Sequence, residues 1–101
     1  MNTRKDTMGK RRGRDKALRE LCDALLQIKT VEECRYFLYD LLSEKEIVIL
    51  SKRWAIVQDL NKGASQRAAA KKFKAGAFTA TRCNKALRNG KGFRLVLSRQ
   101  Q

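Results

Sequence analysis

Residues 65–87 read SQRAAAKKFKAGAFTATRCNKAL, and this stretch decides the fold because it describes two short helices meeting at a tight turn. Ser65 brings a hydroxyl that can cap free backbone N–H groups, and the first helix runs through Phe73 with Ala69, Ala70 and Phe73 on one stripe. The turn is Lys74-Ala75-Gly76. The second helix spans about Ala77 to Arg88, with Ala80, Cys83 and Leu87 inward at spacings of three and four. Phe78, Thr79, Arg82 and Lys85 are left for other surfaces. Helices joined so closely can pack only through small residues, which Ala69, Ala70 and Ala75 supply. This is the pattern of a helix-turn-helix, whose second helix enters the DNA major groove and sets its first residues against base edges. A plain helical hairpin carries the same alanine-rich pattern. The turn also departs from the common form, because its left-handed first position favours glycine and is Lys74 here, a difference of about 1 kcal/mol.

Charge gives the pair its setting. Residues 60–101 hold eleven Lys or Arg and no acid, residues 17–59 hold six basic and eight acidic residues, and residues 1–16 hold seven basic and two acidic. A charge run is often a solvated face, but an acid-free tract of this length repels itself unless a polyanion neutralises it. Both ends therefore read as nucleic-acid surface.

Outward from the pair, 101 residues without proline and rich in Ala, Leu, Lys and Arg predict one all-α domain of five to six short helices. Residues 1–14, MNTRKDTMGKRRGR, have almost nothing to bury and read as a disordered basic arm, either a phosphate-binding tail or a solubilising or tag-like segment. Asp15 caps a helix over 16–29, with Leu18, Leu21, Cys22, Leu25 and Ile28 on one face. Thr30 and Glu33 form a capping box that opens a second helix, whose face is Val31, Cys34, Phe37, Leu38, Leu41 and Leu42. Ser43 and Glu46 repeat the box. They start a longer helix to about Lys62, with Ile47, Leu50, Trp54, Val57 and Leu60 inward and Gly63 past its end. The combined apolar face of 16–62 is wide for a small monomer and predicts a helical dimer core. After Asn89-Gly90-Lys91-Gly92, the segment with Phe93, Leu95, Val96 and Leu97 packs back on the core or on a dimer mate, as a short helix or extended.

Cys22, Cys34 and Cys83 are odd in number, lie at no metal-ligand spacing and have no histidine beside them, so they read as small buried thiols in a reducing cytoplasm, with no metal. The longest apolar run, Ile47 to Leu50, is far below the roughly 20 residues of a spanning helix, and no membrane partner is expected. With no histidine and no paired carboxylates in the basic region, the chain offers no acid–base pair for an enzyme.

Ser65-Gln66-Arg67 and Thr79-Ala80-Thr81-Arg82 carry a resemblance to the Trp-repressor superfamily over about residues 16–100. Ile28-Lys29-Thr30-Val31-Glu32-Glu33-Cys34 and the run from Arg82 to Gly92 before Leu95-Val96-Leu97 resemble its YerC/YecD-type branch most. The resemblance implies an intertwined all-helical homodimer that binds operator DNA. In the namesake repressor L-tryptophan is the corepressor. By that likeness Arg53 and Arg82 match the two arginines flanking the ligand, and Ser43 stands where a threonine lies near it. Cys83 instead replaces a glycine under the indole, and Ala86 replaces a serine at the amino group, so tryptophan control is not expected.

The expected function is a DNA-binding transcriptional repressor of the cytoplasm, working as a homodimer at the nucleoid. Arg67, Lys71, Lys72, Lys74, Lys85 and Arg88 are its phosphate candidates, Arg82 faces either phosphate or the effector position, and Ala77, Phe78, Thr79 and Thr81 are its base-facing candidates. Arg67 also has the reach for a guanine edge. Phe78 has a second option, closing the turn onto Phe73. The competing readings are a sequence-indifferent RNA or ribosome-associated module and a purely structural helical dimer.

Overall fold

The computed structural model describes residues 3–100, with the side chains of 11–100. It contains six helices and, among the described residues, no strand. Two compact units divide at 41/42. Unit 1 contains α1 (Thr3–Leu25) and α2 (Val31–Leu41); unit 2 contains α3 (Glu44–Asn61), α4 (Gln66–Lys72), α5 (Ala77–Asn89) and α6 (Gly92–Arg99).

In unit 1 the helix begins well before Asp15, so the disordered arm expected over 1–14 is helical from Thr3 onward, with Met1 and Asn2 outside the described residues. Low hydrophobicity argues against burial, not against helix. Lys, Arg and Met are good helix formers, no proline intervenes, and each added residue extends a ladder already nucleated in 16–25. Lys16 and Glu20 add an i,i+4 pair at 4.0 Å. Thr30 accepts from the Glu33 N–H at 3.1 Å as expected, but the Glu33 carboxylate accepts from the Lys29 N–H at 3.0 Å, so the box closes one residue further out. No described side chain of unit 1 is fully buried. Leu18, Leu26, Val31, Tyr36 and Tyr39 are exposed. Cys22 is exposed and Cys34 half-buried, so the buried-thiol reading holds for Cys83 alone.

Unit 2 holds all the buried residues among those described. Ser43 accepts from the Glu46 N–H at 3.2 Å and Glu46 accepts from the Ser43 N–H at 2.9 Å, a complete capping box at the start of α3. Ile56 and Val57, both at 0% exposure, are the largest fully buried side chains, each worth roughly 1.5–3 kcal/mol of burial. Val57 was expected inward. Ile56 was not, and Leu50, expected inward, is 44% exposed. The stretch from Ile47 to Val57 is apolar on nearly every side, so its periodicity does not select a face. Ala69, Ala70, Ala80, Cys83 and Leu97 complete the core, with Trp54, Leu60, Phe73, Leu87 and Phe93 packed around it. The C-terminal segment is helical, and Phe93 of α6 lies 5.9 Å from Trp54 in a tilted ring pair.

The first two of the three links in unit 2 use the same helix stop. At the end of α3 the Gly63 N–H donates to Leu60 O at 3.0 Å and the Ala64 N–H to Asp59 O at 3.0 Å, with Gly63 at φ 104°. At the end of α4 the Lys74 N–H donates to Lys71 O at 3.3 Å and the Ala75 N–H to Ala70 O at 2.8 Å, with Lys74 at φ 53°. These are paired Schellman bonds around a left-handed residue. At the end of α5 the constraint is steric: a Cβ on Gly90 would stand 2.6 Å from Ala86 O, the acceptor of the Gly90 N–H.

Lys74→Gly should therefore stabilise the protein by about 1 kcal/mol, read as a higher midpoint in urea with an unchanged slope. A second expectation concerns acid. The Ser43 N–H first, then its hydroxyl, hold the Glu46 carboxyl below its ordinary value of 4.5. The stabilisation from this box is complete above that ordinary value and is lost as pH falls through the lowered one. Glu46→Gln should flatten the acid limb of a stability–pH curve by lowering the neutral plateau toward the acid value.

Candidate nucleic-acid interface

Helix α4 and the first turns of α5 are locked together from inside and outside. Inside, Ala69 at 1% exposure and Ala80 at 0% are small enough to bring the two backbones close over Ile56 and Val57. Outside, the Thr81 hydroxyl lies 3.1 Å from Gln66 Oε1 and 3.0 Å from Ala77 O, and its one proton is shared between these acceptors. Ser65 caps α4 by accepting from the Ala68 N–H at 3.1 Å. Gly76 gives α5 no side-chain cap.

This locking fixes what faces solvent. On α4 and the turn, Arg67, Lys71, Lys72 and Lys74 are exposed; on α5, Ala77, Phe78, Thr81, Arg82, Lys85 and Arg88 are exposed and Thr79 is half-buried. Ala77, Thr81, Lys85 and Arg88 follow one another at spacings of four, four and three, a single outward stripe along α5. Two of these residues carry other duties. The Lys72 ammonium lies 3.0 Å from Asp59 of α3 and 5.3 Å from the centre of the Phe73 ring, and the Thr81 hydroxyl is engaged with α4. Phe78 does not close onto a packed interior; it is 80% exposed.

Residues 78 and 82 border a pocket of about 240 Å³ lined by Arg53, Phe78, Thr79, Arg82, Cys83, Ala86 and Phe93. Arg53 and Arg82 thus border one pocket. Ser43 is not among its walls, since its hydroxyl serves the α3 cap. Cys83 does not fill the space. Burial pushes its thiol above the ordinary value, and the nearby Arg53 and Arg82 cations pull it partly back. Its Sγ makes a long contact to Arg53 O at 3.9 Å.

Two contributors escaped sequence reasoning. Gln66 ties α4 to Thr81, and Arg94 of α6 donates from Nε to Leu87 O at 3.2 Å and from Nη2 to Arg88 O, which satisfies carbonyls at the C-terminal end of α5. An arginine two residues into a following helix was the available signal. Among the described residues there is no group of side chains suited to a metal ion, and no helix is long and apolar enough to cross a membrane.

A helix-turn-helix with its outward face free of acids is the architecture of DNA-binding regulators. The chain belongs to the Trp repressor family, whose model, described as Trp repressor protein, matches residues 16–101. Among solved structures it is similar to a TrpR-like protein from Eubacterium eligens, with a TM-score of 0.77, 29% identity, and coverage of 84% of this chain and 89% of that one. It is also similar to a Trp repressor candidate from Staphylococcus aureus, with a TM-score of 0.76, 30% identity, and coverage of 83% of this chain and 85% of that one. No curated protein matches.

The ion pair gives a test of the cationic surface. Lys71→Met should lower the slope of log affinity for duplex DNA against log salt by about 0.9, the value for one phosphate contact, and Lys72→Met by less. Because Lys72 itself is exposed while its partner Asp59 is half-buried on α3, Lys72→Met should instead lower stability by up to about 1 kcal/mol.

Proposed function

We propose that this protein is a sequence-specific, double-stranded DNA-binding transcriptional regulator that represses by occupying a promoter as a homodimer. The observation that carries this is the α4–α5 pair itself, with an acid-free outward face and the start of α5 uncovered. Arg67, Lys71, Lys74, Lys85 and Arg88 attach to phosphates, with Lys72 and Arg82 as further cations beside them, and release the counterions that drive affinity. Ala77, Phe78, Thr79 and Thr81 lie at the end of α5 that meets base edges, and Arg67 reaches a guanine from α4. Two copies set their α5 helices about one DNA turn, roughly 34 Å, apart.

The uncovered apolar side chains of unit 1 support the dimer, because Leu26 at 78% exposure and Val31 at 74% need a second surface to leave water. The likeness of the run from Ile28 to Cys34 and of the run from Arg82 to Gly92 supports a place in the YerC/YecD-type branch. No cofactor is used, and tryptophan does not control binding: Cys83 and Ala86 line the arginine pocket where the namesake has glycine and serine. The protein works at the nucleoid.

The test is selection of bound duplexes from a random DNA pool at near-physiological salt, with RNA competitor, in the presence and absence of tryptophan. A two-fold-related motif that is recovered equally in both arms is the expected outcome. A pool that stays random while RNA competes as well as DNA would replace this reading with a general nucleic-acid binder. On the recovered site, Arg67→Ala should weaken binding more than it weakens binding to random DNA; equal loss would confine Arg67 to phosphate.

A further inference from the structure

The first turns of α5 present an unusual surface for a base-reading helix. Thr81, the polar residue of the outward stripe there, has its hydroxyl engaged with Gln66 Oε1 and Ala77 O. Thr79 is half-buried, and both it and Arg82 border the Arg53–Cys83 pocket. The Ala77 methyl is exposed at the tip, and the Phe78 ring, although it too borders that pocket, is 80% exposed, the most of the large hydrophobic side chains described. Phe78 stands among cations, since Arg67, Lys71 and Lys74 are exposed on the adjoining helix and turn and no acid occurs between residues 60 and 101. An apolar protein partner would have to bury those cations, whereas a polyanion neutralises them. The apolar group that a polyanionic duplex displays in its major groove is the C5-methyl of thymine.

We propose that α5 reads thymine methyl groups by apolar contact, with Phe78 as the specificity-determining side chain and Ala77 beside it. This rests on the DNA-binding reading above and adds the chemistry of discrimination: shape and hydrophobic contact, not hydrogen-bond matching, select the base at the tip of the helix. Such readout favours sites in which a thymine falls under the start of α5 in each half, related by the two-fold axis. It also gives Gln66 a role as a positioning residue, because its bond to Thr81 withdraws a hydroxyl from the groove.

The experiment uses the full-length protein and a site recovered by selection from unmethylated DNA, so that thymine is the only methylated base present. Each thymine of the half-site is replaced singly by uracil, which removes the methyl and leaves the Watson–Crick and groove hydrogen-bonding groups in place. Affinity is measured for the unaltered protein and for Phe78→Ala, whose fold is checked by thermal unfolding. The unaltered protein should lose about fourfold in affinity at the contacted thymine, as expected for one buried methyl. Phe78→Ala should bind the thymine and uracil sites equally. The proposal is overturned if the unaltered protein binds both alike, or if Phe78→Ala keeps the full fourfold preference. In either of those cases a specific site still exists and the regulator reading stands; recovery of no site overturns both.

Discussion

The close approach of α4 to α5 is the constraint on which the rest of unit 2 depends. Alanine at positions 69, 70 and 80 lets two helix backbones meet without interposed side chains, and Ile56 and Val57 of α3 seal the contact from beneath. A larger residue at any of the three would push α5 outward, and with it every side chain meant for a ligand. The left-handed Lys74 belongs to the same constraint: three residues, Lys74 to Gly76, separate the C-cap of α4 from the start of α5, and only a sharp reversal brings Ala80 back over Ala69. Arg94 then holds the far end of α5 against α6. The recognition element is therefore fixed at its beginning, along its buried side and at its end.

Charge and packing are separated cleanly in this unit. The buried set contains no ionisable group apart from Cys83, whose thiol burial keeps protonated, and no buried side-chain polar atom lacks a partner among the described residues. The cations lie outside, where water screens their mutual repulsion. Asp59 is the exception that helps: the last acid before the basic tract, it stands near the end of α3 and takes up the Lys72 ammonium, bracing α4 where its positive charges crowd together.

Much of this was legible in residue types. Capping residues placed the starts of α2, α3 and α4 to within a residue, and alanine spacing identified the α4–α5 pair with its inward faces. The failures share a cause. Periodicity works where one side of a helix is polar, so it failed on α3, where Ile47 to Leu50 and Trp54 to Val57 are apolar in runs and Ile56 could not be told from Leu50. Composition reports willingness to be buried, so it mistook the polar helix at 3–14 for irregular chain. Side chains that serve other elements were invisible in a different way. Thr81 and Lys72 look like surface groups in sequence, and only the packing of α4 beside α5 and α3 engages them with Gln66 and Asp59. The arginine pocket, too, arises from residues far apart in sequence, Arg53 on α3 and Arg82 on α5.

The unequal division of buried side chains between the two units acquires a temporal meaning during synthesis. Ribosomes deliver unit 1 first, and among its described residues it has no buried side chain of its own. Unit 2, with its core of Ile56, Val57 and the alanines, cannot assemble until the chain has grown through Leu97. At about 5–20 residues per second that growth takes on the order of ten seconds or less, and Leu26, Val31 and Tyr36 are still exposed when it is complete. Apolar surface that is exposed from the first seconds of synthesis is the kind that chaperones bind and that aggregation uses, and here it belongs to the unit that is made first.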